Sequence, residues 1–387
     1  MRFMTTIKDN EDITPIPAVR DGEVKISVIM PIYNAGEYLE QAIRGVLDQT
    51  LRELEIICVD DGSTDNSLEI LKRLQKADER VRIVTETNAG PGIARNNGIK
   101  RARGEYMAFL DADDMFEPSM LESLYNEARK NKLDIALCDY DVYITKKKEL
   151  VSAVPCEHSD IFTAGGIVSK NNYPDRIFLA TNGAAWNKLF ESAFVREKML
   201  SFLPDVKIYE DVYFVICALS LAERVGKVCE ILMHHRVHSE QARARSFHNH
   251  FLKAPEVYLK IKEFLVHNGM YAPLSYSFIN MTASRCYKMF NFVSSEDKER
   301  LWDVLYTEYA EKLDWTGKGI VDFDDEAVFE FVANVEMYDY KQYKKRCARG
   351  LTLQLDRIAP LQKTAEKRKK IRFFIENNVS KKKNKNK

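Results

Sequence analysis

Three observations predict an α/β fold with a mostly parallel sheet flanked by helices. Between residues 25 and 140, β-branched runs alternate with stretches of helical apolar spacing. The connections between them are short, and a polar, acidic or Gly-rich segment follows each of the first four runs. Residues 25–31 (KISVIMP) read as a buried strand. Tyr38, Leu39, Ala42, Ile43, Val46 and Leu47 then repeat at i, i+1, i+4 and i+5, one face of a helix. Residues 55–59 form the second strand, and Leu68, Leu71 and Leu74 mark the second helix, opened by Ser63, Thr64 and Asp65. A third strand at 81–85, a third helix at 93–100 and a fourth strand at 106–110 follow. Pro118 opens a helix to about residue 130, and residues 135–140 are a candidate fifth strand. From about residue 150 the alternation fades, and residues 251 to about 345 read as helical. There Leu301, Trp302, Leu305, Tyr306 and Tyr309 form one apolar stripe.

Composition bounds the function classes. A chain of 387 residues, 45% hydrophobic and 11% aromatic, has material for one large domain with an appendage, or for two domains. With 58 Lys+Arg against 58 Asp+Glu there is no whole-molecule basic footprint, so no nucleic-acid partner is expected. The seven Cys residues are dispersed without a C-x-x-C pair, which argues against a zinc ribbon or disulfide framework and suits a reducing cytoplasm. The N-terminal residues lack the apolar core of a signal peptide. The longest apolar stretch, roughly 212–222, is shorter than the ~20 residues a bilayer needs. A soluble or peripheral protein is expected.

Ligands of open α/β sheets bind outside the carboxyl ends of the strands. Those ends carry Pro31, Tyr33 and Asn34 after the first strand, and Asp60, Asp61 and Gly62 after the second. Asn88, Gly90 and Gly92 follow the third, and Asp111, Asp113 and Asp114 the fourth. Asp111 and Asp113 share one side of an extended segment, where hard oxygens suit Mg²⁺ or Mn²⁺. A cation there can neutralise a diphosphate leaving group. The alternative is a solvated turn ahead of a helix. A carboxylate at the Asp60–Asp61 tip can accept from a uracil N3–H or a ribose hydroxyl, or Asp65 or Ser63 can simply cap the next helix. Two acidic tips on one edge repel unless a cation lies between them. The loop holding Asn88 resembles a phosphate cradle, although the P-loop pattern is absent. Arg95 falls in the first turns of a helix, an odd place for a cation unless an anion is near. Trp186 suits a sugar platform or a packed core. His234 and His238 have the i, i+4 spacing of a helical zinc site, but no H-E-x-x-H pattern supports one.

In order and spacing, the motifs P-I-Y-N, V-D-D-G-S-T-D, N-x-G-x-G-x-A-R-N, L-D-A-D-D, W-N-K-L-F, Y-E-D-V-Y-F and H-R-V-H resemble the family 2 glycosyltransferases over about residues 25–240. The resemblance implies the GT-A (Rossmann-like) fold with a helical C-terminal extension. It implies metal-dependent transfer from a UDP-sugar to a glycan or lipid-linked glycan in surface polysaccharide synthesis. Pro31, Tyr33 and Asn34 would lie against the nucleotide. Asp61, with Asp60 in support, would contact uracil or ribose, and Arg95 the base or diphosphate. Asp113 would be the main Mn²⁺ or Mg²⁺ ligand, with Asp111 reaching ribose or metal through water. Arg236 and His238 would sit on a loop near the diphosphate or metal. Asp211 of the Glu210–Asp211 pair would be the general base of an inverting transfer, where a like-charged neighbour can raise a carboxyl pKa. The Q-x-x-R-W motif of processive members is missing, which implies one sugar per encounter.

The expected organisation is a polar lead-in at 1–24, a transferase domain at 25–245, a helical region at 246–360 and a basic tail at 361–387. The transferase domain would divide into a donor half at 25–145 and an acceptor half at 146–245. Residues 362–387 carry eleven Lys or Arg around an aromatic and aliphatic middle, which suits an anionic membrane surface. Two rival functions are a sugar-nucleotide nucleotidyltransferase and a non-catalytic UDP-sugar-binding scaffold. The first would want a basic triphosphate loop near residues 31–34, and the second would be expected to have lost Asp113 or Asp211.

Overall fold

The computed structural model describes residues 24–238 and 251–349; the lead-in and the basic tail lie outside them. The first half follows the alternation in the sequence: β1 (Ile26–Ile32), α1 (Leu39–Leu47), β2 (Leu54–Asp60), α2 (Ser67–Ala77), β3 (Val81–Thr85), α3 (Pro91–Arg101) and β4 (Tyr106–Phe109). These strands lie parallel in the order β3-β2-β1-β4, with Ile29 opposite both Ile57 and Phe109. Successive side chains of a strand point to opposite faces. Val28, Met30, Ile56 and Cys58 therefore pack with Ile43 and Val46 of α1 and Leu71 and Leu74 of α2. Ile29, Ile57, Val59, Met107 and Phe109 pack on the other face, with Ala94 of α3. A strand covered on both sides needs an apolar run, which β2 supplies over Ile56–Val59; all seven of its residues are buried.

The second half departs from the expected mostly parallel sheet. It continues through β5 (Met115–Phe116), α4 (Met120–Asn131), β6 (Ile135–Ile144), β7 (Glu149–Ser152), β8 (Lys188–Glu191), α5 (Ser192–Glu197), α6 (Glu210–Leu221) and β9 (Val225–Val237). β6 is not the neighbour of β4, because the four-residue β8 inserts between them, antiparallel to both. β9 runs parallel to β6, and β5 and β7 pair antiparallel with β9 and β6. The sheet as a whole is mixed. The segment 234–238 is thus an extended strand and its end, so neither a helical histidine pair nor a loop at Arg236 exists there. The apolar stretch at 212–222 is α6 and the residue after it, almost wholly buried. No helix of the described residues is long and apolar enough to cross a membrane.

Among the described residues five longer helices follow: α7 (Lys253–His267), α8 (Tyr271–Phe292), α9 (Ser295–Val304), α10 (Glu326–Met337) and α11 (Tyr340–Ala348). Ser294, Asp325 and Asp339 cap the last three through their side chains. Beyond α9 the chain makes a π turn over Leu305–Tyr309. That turn breaks the expected apolar stripe, burying Leu301, Trp302 and Leu305 while Tyr306 is exposed. One apolar core runs from the sheet face through α6 into α7, α8 and α10. At its centre Phe109, Phe190, Phe202 and Phe214 form an aromatic cluster, with Phe202 and Phe214 stacked at 4.2 Å. The Phe178 amide donates to Ser277 Oγ of α8, stitching the two regions together.

His234 pins the short β5 edge. Its Nδ1 lies 2.6 Å from Asp141 on β6 and its Nε2 2.8 Å from Glu117. Burial works against a charged ring, but the two carboxylates outweigh it and raise the pKa above the ordinary histidine value. That stabilisation is present below the ordinary value and is lost as pH rises through the raised one. His234→Gln is expected to lower the melting temperature more at pH 6 than at pH 9, as measured by thermal denaturation at the two pH values.

Candidate active site

The tips of β1 and β2 are tied to each other. Asn34 adopts a left-handed backbone (φ 50°), and its Oδ1 accepts from the Thr64 amide at 2.7 Å and the Asp65 amide at 3.3 Å. Its own amide donates to Ser63 Oγ. The Asn34 carbonyl oxygen is thus engaged in fastening the two loops, while Tyr33 beside it is 52% exposed. Pro31 sits within β1, opposite Val59.

Asp60 and Asp61 are both buried. Asp61 accepts from the Ala89 amide at 2.6 Å and the Gly90 amide at 2.9 Å, so each of its oxygens already holds the loop that opens α3. Asp60 accepts from the Ser63 amide. Between the two loops a Cβ on Gly62 would lie 2.9 Å from the Asn88 nitrogen, and the backbone there has φ 72°. Both constraints require glycine. Asn88 is exposed on the same loop.

α3 carries Arg95 inward. Its guanidinium donates to Glu210 Oε1 at 2.7 Å and to Asp111 Oδ1 at 2.8 Å, and it is 6% exposed. The guanidinium is thus engaged by two carboxylates, which account for a cation so early in a helix. The close approach of α3 to the segment before α6 depends on Gly92, where a Cβ would meet the Leu203 carbonyl at 2.5 Å.

After β4, Asp111, Asp113 and Asp114 each offer an oxygen within 4.8 Å of the others. Asp114 is buried. Its Oδ1 lies 3.0 Å from His235 Nδ1 and accepts from the Arg236 amide at 2.8 Å, while its Oδ2 has no hydrogen-bond partner among the described residues. Burial pushes the Asp114 carboxyl up to about 7, against the pull of His235. Three hard oxygen donors, one of them buried and unpartnered, fit a small divalent cation. Arg236 projects from β9 rather than from a loop. Its Nε donates to the Asp113 carbonyl at 2.7 Å, a terminal nitrogen donates to Gln41, and the guanidinium lies over the Tyr38 ring. It props the backbone of Asp113. His238 follows β9, with Nε2 3.0 Å from Asp113 Oδ2; it touches that one carboxylate and does not belong to the group of three.

On the opposite side of Arg95, Tyr209 holds a left-handed backbone (φ 71°) that turns the chain into α6. A strained aromatic residue in this region is held only by its surroundings, and it fixes the direction of the two acids after it. Glu210 is buried, and burial together with Asp211 pushes its carboxyl up to about 7 while Arg95 pulls it down. Asp211 is only partly buried and accepts from the Val212 amide. Trp186 is buried, stacked at 5.2 Å on His235, with Tyr140 edge-on at 4.7 Å. Its role in the fold is to back the His235–Asp114 contact.

Sequence reasoning missed two residues here. Asp114 was legible in the L-D-A-D-D run but was not counted as a ligand. Lys188 stood unremarked inside W-N-K-L-F. Its ammonium is fully buried and donates to Asn182 O and Oδ1, Ala184 O and Asn187 Oδ1 at 2.7–3.2 Å. Burial lowers its pKa to about 7, opposed by Cys156, Cys138 and Asp211.

The model of the family described as Glycosyl transferase family 2 matches residues 27–181. The chain is 30% identical to YibD, an uncharacterized glycosyltransferase of Escherichia coli strain K12, over 249 residues, covering 61% of this chain and 71% of YibD. It is 33% identical to EpsJ, an uncharacterized glycosyltransferase of Bacillus subtilis strain 168, over 215 residues, covering 54% of this chain and 60% of EpsJ. Among solved structures, residues 1–349 of S. aureus TarS in complex with UDP-GlcNAc superpose with a TM-score of 0.65 at 20% identity. The match covers 86% of this chain and 93% of that one, a likeness of fold.

Arg95 is the one charge joining Asp111 to Glu210. Arg95→Met leaves two carboxylates facing an apolar side chain, and truncating one side of a buried ion pair typically costs about 3–5 kcal/mol. Urea denaturation is expected to show a loss of that order at pH 9, where Glu210 is ionised, and a smaller loss at pH 5, where it is protonated.

Proposed function

The chain belongs to glycosyltransferase family 2, and from that premise we propose that it transfers one sugar per encounter from a UDP-sugar to a hydroxyl of a glycan or lipid-linked glycan, inverting the anomeric centre. The observation that carries this reading is the Arg95 bridge. Through one guanidinium it holds the acidic cluster after β4 and the Glu210–Asp211 pair at the same sheet edge. A diphosphate-binding element and an acceptor-facing base must share such an edge for a single displacement.

In this reading Tyr33, Asn88 and the loops fastened by Asn34, Asp60 and Asp61 frame the nucleotide. Asp111, Asp113 and Asp114 would hold Mn²⁺ or Mg²⁺, which when bound supplies positive charge to the diphosphate. Arg236 and His238 keep Asp113 in place. Asp211 accepts the proton of the acceptor hydroxyl as that oxygen bonds to the anomeric carbon. The bond from that carbon to the UDP oxygen breaks, and UDP departs with the electron pair. Glu210, held by Arg95, fixes Asp211 at the start of α6. A nucleotidyltransferase is disfavoured by family membership, and a non-catalytic scaffold by the retention of Asp113 and Asp211. The proposed location is the cytoplasm, at the inner face of the membrane, with the basic tail on anionic lipid.

Calorimetric titration with UDP is expected to give binding that strengthens with Mn²⁺ and weakens at least tenfold in Asp113→Asn. Asp211→Asn is expected to keep UDP affinity while transfer, followed by mass spectrometry over a panel of UDP-sugars and acceptors, falls about 10²–10⁴-fold. Full transfer in chelator or in Asp113→Asn would overturn the metal role, and preference for a nucleoside triphosphate would favour the nucleotidyltransferase.

A further inference from the structure

We infer that Arg285 of α8 and Asn182 form an acceptor subsite beside Asp211 that takes an oxyanion, a phosphate or carboxylate group carried by the acceptor. The inference rests on the reading of Asp211 as the acceptor-facing base.

The geometry starts from Lys188. An ammonium can only donate, so the Asn182 atom it meets at 2.7 Å is the amide oxygen, and the amide nitrogen is the other end of the group. That nitrogen is buried and has no hydrogen-bond partner among the described residues. The next residue is Gly183. A Cβ there would lie 2.9 and 3.3 Å from the two terminal nitrogens of Arg285 and 2.9 Å from Val212 Cγ2. The guanidinium thus occupies the space a side chain at 183 would fill, against the first turn of α6, which Glu210 and Asp211 open.

Arg285 is only partly buried, and no described residue gives its guanidinium a hydrogen bond or an ion pair. The contrast with Arg95 and Arg236 is plain, since both of those are engaged by oxygens at 2.7–2.8 Å. A buried amide donor and a half-buried guanidinium without acceptors cost free energy unless something supplies oxygen. The charged and titratable groups around this place include the Lys188, Lys227 and Lys288 ammoniums, the Cys138 and Cys156 thiols and Asp211. The balance of fixed charge favours an anion, and a planar guanidinium suits the paired oxygens of phosphate or carboxylate. An acceptor anchored there by its charged group would present a separate hydroxyl to Asp211. The subsite would select acceptors by charge, using a residue of the helical region that no donor contact requires.

The test uses the full chain with Mg²⁺ and saturating UDP, titrated separately with methyl phosphate and with acetate and followed by NMR chemical shifts. Wild type is expected to bind at least one of the two, and the tighter one distinguishes a phosphate-bearing from a carboxylate-bearing acceptor. Arg285→Gln is expected to weaken that binding fivefold or more and Arg285→Lys by less, with UDP affinity equal in all three. Thermal denaturation verifies that the variants are folded. No anion binding by wild type, equal anion affinity in Arg285→Gln, or a change in UDP affinity instead overturns the subsite. If UDP itself does not bind, the donor reading fails, while the same anion titration without UDP still decides this one.

Discussion

The arrangement at the sheet edge depends on one buried cation. Seven acidic residues gather there, at the tips of β2 and β4 and at the start of α6, and packing them together without counter-charge would be prohibitive. The molecule solves this in two ways. Asp60 and Asp61 are neutralised locally by backbone amides, so that the β2 tip becomes a clasp for the loop after β3. Asp111 and Glu210 are neutralised by Arg95, which α3 carries into the gap between them. Gly92 is what allows α3 close enough, and Tyr209 accepts a strained backbone so that Glu210 can reach inward.

This division of labour separates residues that only shape the site from residues that also reach its surface. Asn34, Asp61, Arg95, Arg236 and Trp186 are occupied with other protein groups, whereas Tyr33, Asn88, Asp113 and Asp211 retain exposed or partly exposed faces. A charge buried between fixed partners is rigid, and rigidity in the supporting residues is what lets the remaining few be aimed. Lys188 extends the same logic to the loop at 182–187. There a buried ammonium gathers four neutral oxygens and fixes the orientation of the Asn182 amide.

Much of the fold was legible because β1, β2 and β4 are covered on both faces. Their side chains must be apolar in continuous runs, and the helices between them must show a 3.6-residue stripe, so strand, helix and order could all be read. The second half was less so. β8 is four residues long and β5 two, too short for any period to register, and their antiparallel insertion is decided by contacts distant in sequence. At the site, residue types and spacing indicated which strand ends carry chemistry, and Asp111 and Glu210 do converge there through Arg95, with Asp113 beside Asp111. They could not indicate partners. The same Arg95 that suits a diphosphate in the abstract is claimed by two carboxylates 16 and 115 positions away along the chain. His234 and His238 invited a helical reading because i, i+4 positions share a side in both a helix and a strand, and only the length of β9 decides between them.

The unbroken apolar interior shared by the sheet, α6 and the C-terminal helices has a consequence for how such a chain can change over generations. Where two lobes meet through a thin polar seam, a gene can exchange one lobe for another and keep both working. Here Phe178 and Ser277 lie on either side of no such seam, and a crossover near residue 250 would leave large apolar faces of both parents mismatched. Any exchange of one region for another would therefore require the apolar surfaces along α8 and α6 to be rebuilt together.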